Sequence, residues 1–323
     1  MSYQPPFTIN SEIIDLISAV SVQVGFVQRD FLDASPQLRK ANRIKTIAAT
    51  LQIEGCSLSE EQVSAVLDGK PVLASVRELA EVKGAIAAYD KLNEWNPHKL
   101  DDLLVAHRLM MGEVLNHAGR FRNKAVGVYQ GKEVVHVAPP AHQISGLMAE
   151  LFDWVQQVDL HPLIVSSVFH YEFEFIHPFI DGNGRMGRLW QTLMLAQWQP
   201  LFMNVPLESV IKVHQQDYYH ALASADSAAD SAVFVTFMLK AILQTLENAP
   251  VNAPVNASVK LEGLKTPEAI MVLISANPHM TRAAMAQQMG RDLRTIGRAL
   301  KVLQDKGKLR RVGSDKSGYW EVL

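Results

Sequence analysis

Residues 177–188 read HPFIDGNGRMGR, and the polar side chains in that run are ones that can handle a phosphate. His177 can serve as a neutral base near pH 7. Asp181, four residues on, offers a hard oxygen of the kind that holds Mg²⁺ together with phosphates. Gly182 and Gly184 permit tight backbone turns whose N–H groups converge on an anion. A helix beginning near Gly184 adds its positive end to the same place. Arg185 then falls in that helix's first turn, where a cation opposes the macrodipole and a bound polyphosphate would compensate. Arg188 follows on the same face. Together these residues describe a nucleotide phosphate site with a base placed for a hydroxyl nucleophile.

The same glycines, Gly182, Gly184 and Gly187, also spell G-x-G-x-x-G, with Glu208 further on. That dinucleotide fingerprint requires a strand leading into the glycines. The approach HPLIVSSVFHYEFEF instead spaces Val165, Phe169 and Phe173 by four, which predicts a helix. A nicotinamide reading also leaves His177, Asp181, Asn183, Arg185 and Arg188 without a task.

The elements around this run are mostly helical. In NSEIIDLISAV the apolar positions Ile13, Leu16, Ile17 and Val20 recur at helical spacing. SPQLRKANRIKTIAATLQIEG has Ser35 as N-cap, Pro36 at the first helical position and Gly55 as stop. SEEQVSAVLDG carries a capping box from Ser59 to Gln62, and VRELAEVKGAIAAYDKLNEW is amphipathic. AVGVYQGKEVVHV alternates around Gly131, as a hairpin does. NAPVNAPVNASVKLEG has no apolar period and predicts a linker. The domain division expected is therefore 1–96, a helical N-terminal region; 97–247, a helical core with one hairpin; 248–263, a linker; and 264–323, a helix–turn–helix with a two-stranded wing.

The chain has 323 residues, 48% hydrophobic and 20% charged, with a net charge of −2, so any nucleic-acid affinity must come from a local basic patch. The one cysteine, Cys56, excludes an internal disulfide and points to a reducing compartment. The N-terminus lacks secretory order and no apolar run of about 18 residues is evident, so the expected location is the cytoplasm, without a membrane span.

HPFIDGNGRMGR resembles the complete Fic signature, H-P-F-x-D-G-N-G-R-x-x-R, with no departure at a fixed position. The resemblance implies a mainly α Fic core that transfers AMP from ATP to a Tyr, Ser or Thr hydroxyl of a protein. By that analogy His177 deprotonates the hydroxyl, Asp181 binds Mg²⁺, and Phe179 packs inward. Residues 182–188, namely Gly182, Asn183, Gly184, Arg185, Met186, Gly187 and Arg188, would form the ATP site. GRFR and the hairpin after it are similar to the family's flap, which implies that Val134, Val135, His136 and Val137 border the nucleotide. QQDYYHALASAD resembles the later segment that touches adenosine, with Tyr218, Tyr219 and Asp226 as the candidates; many relatives have Asn in place of Asp226.

TLQIEG, Thr50 to Gly55, is similar to the Fic inhibitory motif Ser/Thr-x-x-x-Glu-Gly/Asn. Glu54 at the end of a helix faces the negative end of the dipole, which is unfavourable unless a cation is near. The resemblance implies that Glu54 pairs with Arg188 and keeps it from the γ-phosphate. In some relatives the same Glu positions water to remove AMP, which implies both directions of reaction. Self-modification and a homodimer are further implied partners, besides ATP and an unidentified target protein.

The C-terminal stretch resembles a winged helix. Arg291, Arg294, Arg298 and Lys301 share a helix face, and Lys308, Arg310, Arg311 and Lys316 add charge at the wing. Such a stripe fits DNA phosphates. A DNA-binding regulator whose Fic core senses nucleotide is thus the competing expectation.

Overall fold

The computed structural model describes residues 3–32, 35–130, 133–248, 265–276, 280–312 and 319–322. The turn at Gly131, nearly all of the linker, and Lys316 lie outside them. The chain divides into two units, Met1–Ala249 and Pro250–Leu323.

The first unit is helical except for one hairpin. Its elements are α1 (Ser11–Leu32), α2 (Pro36–Ile53), α3 (Glu60–Leu67), α4 (Val76–Asp90), α5 (Leu100–Met111), β1 (Gly127–Gln130), β2 (Glu133–Val137), α6 (Ile144–Gln157), α7 (Pro162–Ile176), α8 (Asn183–Trp198), α9 (Leu207–Val213), α10 (Gln215–Ala228) and α11 (Ala232–Glu247). The starts are chemically explicit. The Ser35 side chain accepts from the Leu38 N–H, and Ser59 with Gln62, like Ser75 with Glu78, closes a capping box. The end of α2 is equally so: Gly55 sits at φ 89°, its N–H bonded to Gln52 O and that of Cys56 to Leu51 O. This is a Schellman cap, and glycine is there because the left-handed position disfavours a Cβ.

α7 and α8 pack together at the centre, and the turn between them carries residues 177–182. Along α7 every residue from Leu163 to Phe173 is buried, Ser166, Ser167, His170 and Glu172 included, so the helix is enclosed all round rather than on one stripe. α7 is a helix, so no strand enters the glycines. Glu208 is buried and accepts from Tyr89 Oη (2.9 Å) and Thr192 Oγ1 (3.3 Å), which makes it a core residue rather than a ribose contact.

α1 is more apolar than its sequence suggests. The segment Ser11–Gln28 has a mean hydropathy of 1.2, long and apolar enough for a membrane crossing by length and composition. Alternation with Glu12 and Asp15 hides this in the sequence. In the fold its buried side, Ile13, Val20, Val24 and Val27, packs toward α11, and Ile14, Val22 and Phe26 are exposed.

β1 and β2 pair antiparallel with a register shift between Val128 and Tyr129. In the second unit α12 (Thr266–Ala276), α13 (Arg282–Met289) and α14 (Leu293–Asp305) precede β3 (Leu309–Val312) and β4 (Tyr319–Val322), an antiparallel pair. Its own core contains Ile270, Leu273, Ile296, Leu300, Leu309 and Trp320.

The N-terminal segment before α1 is tied down. Tyr3 Oη donates to Glu172 Oε2 at 2.5 Å, and Glu172 Oε1 is buried with no hydrogen-bond partner among the described residues. Burial pushes the Glu172 carboxyl up from 4.5 to about 7. A carboxyl raised in the fold stabilises it while protonated, fully below pH 4.5, and that contribution is lost as pH rises through about 7. Glu172→Gln retains the Tyr3 contact without the ionisation. Urea unfolding across this range should show the parent losing on the order of 3 kcal/mol at most, and the variant losing distinctly less.

Candidate functional site

The site is built on a strained turn. His177 ends α7 in the left-handed region, φ 49° and ψ 61°, with its N–H still bonded to Phe173 O at 2.9 Å. A non-glycine residue there is uncommon and requires support from its surroundings. Arg122 provides it. Its Nε donates to His177 O (2.7 Å), Nη2 to Pro139 O (2.6 Å) and Ile176 O (3.3 Å), and Nη1 to Lys124 O (2.8 Å). Its own N–H donates to Pro178 O at 2.9 Å. One buried guanidinium thus joins the backbone of His177 to both roots of the hairpin. Burial lowers its pKa.

The other side of the turn is held by Asn183 and His107. Asn183 Nδ2 donates to Phe179 O and its Oδ1 accepts from the Phe179 N–H, both at 2.9 Å. His107 stacks on Phe179, the ring centroids 3.6 Å apart. Its Nδ1 accepts from the Gly119 N–H at 2.8 Å, which leaves Nε2 to donate to Asp181 O at 3.0 Å. Burial drives the His107 pKa down to about 4, so this tautomer persists near neutrality.

The charged groups of the turn all have partners. Asp181 Oδ1 accepts from the Gly182 N–H (2.6 Å) and from Arg185 Nη2 (3.0 Å), and Oδ2 from Arg77 Nη2 (2.8 Å). Arg185 Nη1 lies 3.6 Å from Glu81 Oε1. Arg188 is fully inside: Nε donates to Thr50 Oγ1 (2.9 Å), and Nη2 to Thr50 O (3.1 Å) and Glu54 Oε1 (2.7 Å). Burial pulls the Arg188 pKa down, but Glu54, with Tyr218 and Glu174, outweighs it and the net shift is upward. Arg188 Nη1 and Arg185 Nε are buried with no hydrogen-bond partner among the described residues. Two orphaned guanidinium atoms at a helix N-terminus fit an anion with more oxygens than Glu54 supplies.

Several expected site residues also make contacts within the fold. Arg185 does not lack a partner, because Asp181 and Glu81 supply the negative charge that its first-turn position requires. Both polar ends of the Asn183 amide are spent on Phe179, so it shapes the turn. The Met186 side chain is in the core and its N–H is bonded to Gly182 O at 3.0 Å. Gly187 faces α7, where a Cβ would lie 2.9 Å from Glu174 Oε1. Tyr218 is buried with its hydroxyl 3.1 Å from His170 Nε2, which is core packing. Tyr219 Oη donates to Ile53 O (3.2 Å), one of the carbonyls that the end of α2 leaves without an internal partner. Asp226 accepts from Tyr171 Oη at 2.8 Å. Val137 is exposed at the end of β2; the side chains of Val134, Val135 and His136 lie outside the described residues, though their backbone is strand. Phe179 is wholly buried, as expected. No group of three or more His, Cys, Asp or Glu among the described residues can hold a metal ion unaided.

With this geometry in place, likeness to known proteins becomes informative. Residues 97–195 match the Fic/DOC family. A Fic family protein from Desulfovibrio desulfuricans G20 is 39% identical, over 99% of this chain and 98% of that one, with a TM-score of 0.74. The chain belongs to the Fic family.

Fic-1 of C. elegans is 25% identical over 72% of this Fic chain and 71% of that one, at a TM-score of 0.58. The protein adenylyltransferase Fic of Drosophila willistoni is 31% identical over 209 residues, and that of Culex quinquefasciatus 32% over 211. These matches cover 60% of this chain but span only about two fifths of the curated relatives' length, 40% and 39%.

The residues that sequence reasoning missed in this Fic protein are Arg122, His107, Arg77 and Glu81. The first two act on backbone carbonyls and N–H groups, which carry no residue identity. A usable signal for Arg122 was an arginine beside a predicted hairpin with no acid at helical spacing. Replacing Arg122 by Met leaves carbonyls at His177, Lys124, Pro139 and Ile176 without their donor. Stability should fall by about 2–4 kcal/mol in urea unfolding, and Arg122→Lys should recover only part, because an ammonium lacks the guanidinium fork.

Proposed function

We propose that this Fic protein transfers AMP from ATP to a protein hydroxyl and that Glu54 restrains it. The observation that carries the reading is the Arg188–Glu54 pair, 2.7 Å, next to a turn that presents the whole signature. In the reaction His177 takes the proton of the target hydroxyl. The hydroxyl oxygen then forms a bond to the α-phosphorus as the bond to pyrophosphate breaks, and pyrophosphate carries the displaced electron pair. The target is a Tyr, Ser or Thr side chain, laid beside His177 by pairing with the hairpin edge.

Arg185 and Arg188 hold the phosphates, with Gly184 leaving the helix N-terminus open to them. The α8 N-terminus and the two guanidiniums stabilise the charge that grows on the leaving group. Mg²⁺, held by Asp181 together with phosphate oxygens, would neutralise part of the polyphosphate charge. The donor set fits this, since a single carboxylate beside phosphates suits Mg²⁺ better than a protein-only cage.

Restraint follows from the geometry of Arg188. Its free donor and its paired donor are both required to grip the distal phosphate, and Glu54 holds one of them. A nucleotide bound against Glu54 sits short of the productive position. With labelled ATP and Mg²⁺, Glu54→Gly should incorporate about tenfold more label than the parent, equivalent to ~1.4 kcal/mol of removed competition. His177→Ala should incorporate none. Equal labelling of all three forms refutes the scheme.

A second reading concerns the C-terminal unit, as a winged helix on DNA. It is favoured by Arg294, Arg298 and Lys301, which are exposed together on α14. Arg310 is drawn away from such a role, with its Nε bonded to Glu321 Oε2 at 2.8 Å, and Arg311 stacks over Trp320. Duplex binding should weaken linearly on a log–log salt plot, and Arg298→Ala should reduce that slope by about 1. Binding that ignores salt would rule out phosphate contacts by this face.

A further inference from the structure

Glu54 is not the sole N-terminal side chain that reaches the turn. α4 sends two more. Arg77 lies in the first turn of α4, where a cation opposes the macrodipole, so its place depends on nearby carboxylates. It has two: its Nε donates to Glu81 Oε1 at 3.1 Å and its Nη2 to Asp181 Oδ2 at 2.8 Å. Glu81 in turn faces Arg185, and Arg185 returns to Asp181 at 3.0 Å. Asp181, Arg77, Glu81 and Arg185 therefore form a closed ring of alternating charge.

Each ionic group of the turn is thus met by a side chain of the opposite sign from the N-terminal region. Glu54 and Glu81 place carboxylates on Arg188 and Arg185, where phosphate oxygens would go. Arg77 places a cation on Asp181, where a metal ion would go. A guanidinium bonded to Oδ2 and a divalent ion on that oxygen exclude each other, because both need the same lone pairs and both are positive.

We propose that Arg77 competes with the divalent cation for Asp181 and so sets how much metal the site needs. The inference rests on the reading of Asp181 as the carboxylate that holds metal with the nucleotide. The Arg77 side chain is 64% exposed, so its pair with Asp181 is screened and weak, and it can swing into solvent without unfolding α4. That makes it a graded competitor rather than a lock. Displacing an exposed pair of this kind corresponds to a two- to fivefold change in the metal requirement, roughly. Glu54 and Arg77 then act on different partners: Glu54 against the distal phosphate, Arg77 against the metal.

The test uses the full chain carrying His177→Ala, so that bound nucleotide is not turned over. Binding of a fluorescent ATP analogue is followed by polarisation, first in EDTA and then as Mg²⁺ is titrated in. Arg77→Ala should lower the Mg²⁺ concentration at the midpoint of the affinity gain about two- to fivefold at low salt. It should not strengthen binding in EDTA, and the midpoint difference should shrink in high salt. Arg77→Lys, which keeps the charge, should stay near the parent. An unchanged midpoint in Arg77→Ala, with Asp181→Ala abolishing the Mg²⁺ response, overturns this inference and leaves the proposed site standing. A Mg²⁺ response that survives Asp181→Ala overturns the assignment of Asp181 and the competition with it. Circular dichroism of each variant checks that α4 remains folded.

Discussion

A guanidinium sealed inside a protein must have an anion, and Arg188 is such a group, its side chain 1% exposed. An unpaired buried charge would cost several kcal/mol, so the pocket around it exists only if something negative fills it. Thr50 contributes a hydroxyl and a carbonyl, which solvate the cation without neutralising it. The direct ion pair comes from Glu54, with the buried Glu174 carboxylate adding negative charge nearby. The two partners are unequal in freedom, however. Arg188 is enclosed by α8 and the core, whereas the Glu54 side chain is 32% exposed at the C-cap of α2. Should a phosphate arrive, the carboxylate is the member that can leave. In the proposed reading, competition for one buried cation makes binding and restraint alternatives at the same atoms.

The rest of the turn is fixed with comparable thoroughness. Arg122, Asn183 and His107 spend their donors and acceptors on the backbone of residues 176–181, which keeps His177 in a conformation it would not otherwise favour. Burial here and exposure at Glu54 and Arg77 divide the site into two parts. In the proposed scheme one holds the reacting geometry ready, and the other decides whether substrate can use it. All the movable side chains come from α2 and α4, and all the fixed ones from α5, the segment before β1, and α8.

What could be read from the sequence follows the range of the interaction. Caps and helix periods are local, so Ser35, Ser59 with Gln62, and Gly55 announced the ends of α2 and α3 directly. The signature is also local and contiguous, and its residues fall on the turn after α7 and the start of α8. Convergence by contacts distant in sequence could not be seen. Arg77 and Asp181 are separated by 104 residues, and Arg122 and His177 by 55. Asn183, Tyr218 and Tyr219 are expected at the nucleotide only through the family resemblance, and their partners in the fold are not visible in the sequence. Those partners are the Phe179 backbone, His170, and the open carbonyls at the end of α2.

Gly184 stands where the two alternatives meet. A Cβ there would lie 2.3 Å from Glu54 Oε1 and 3.0 Å from Arg188 Nη1. The carboxylate can therefore reach the guanidinium only across a position that bears no side chain. Alanine is a single-base change from glycine, and the added methyl would evict Glu54 while crowding the seat that the phosphate needs. Escape from restraint at this codon would come with a poorer grip on nucleotide. In the proposed scheme, hydrogen is the one substituent at residue 184 compatible with both the closed and the loaded protein.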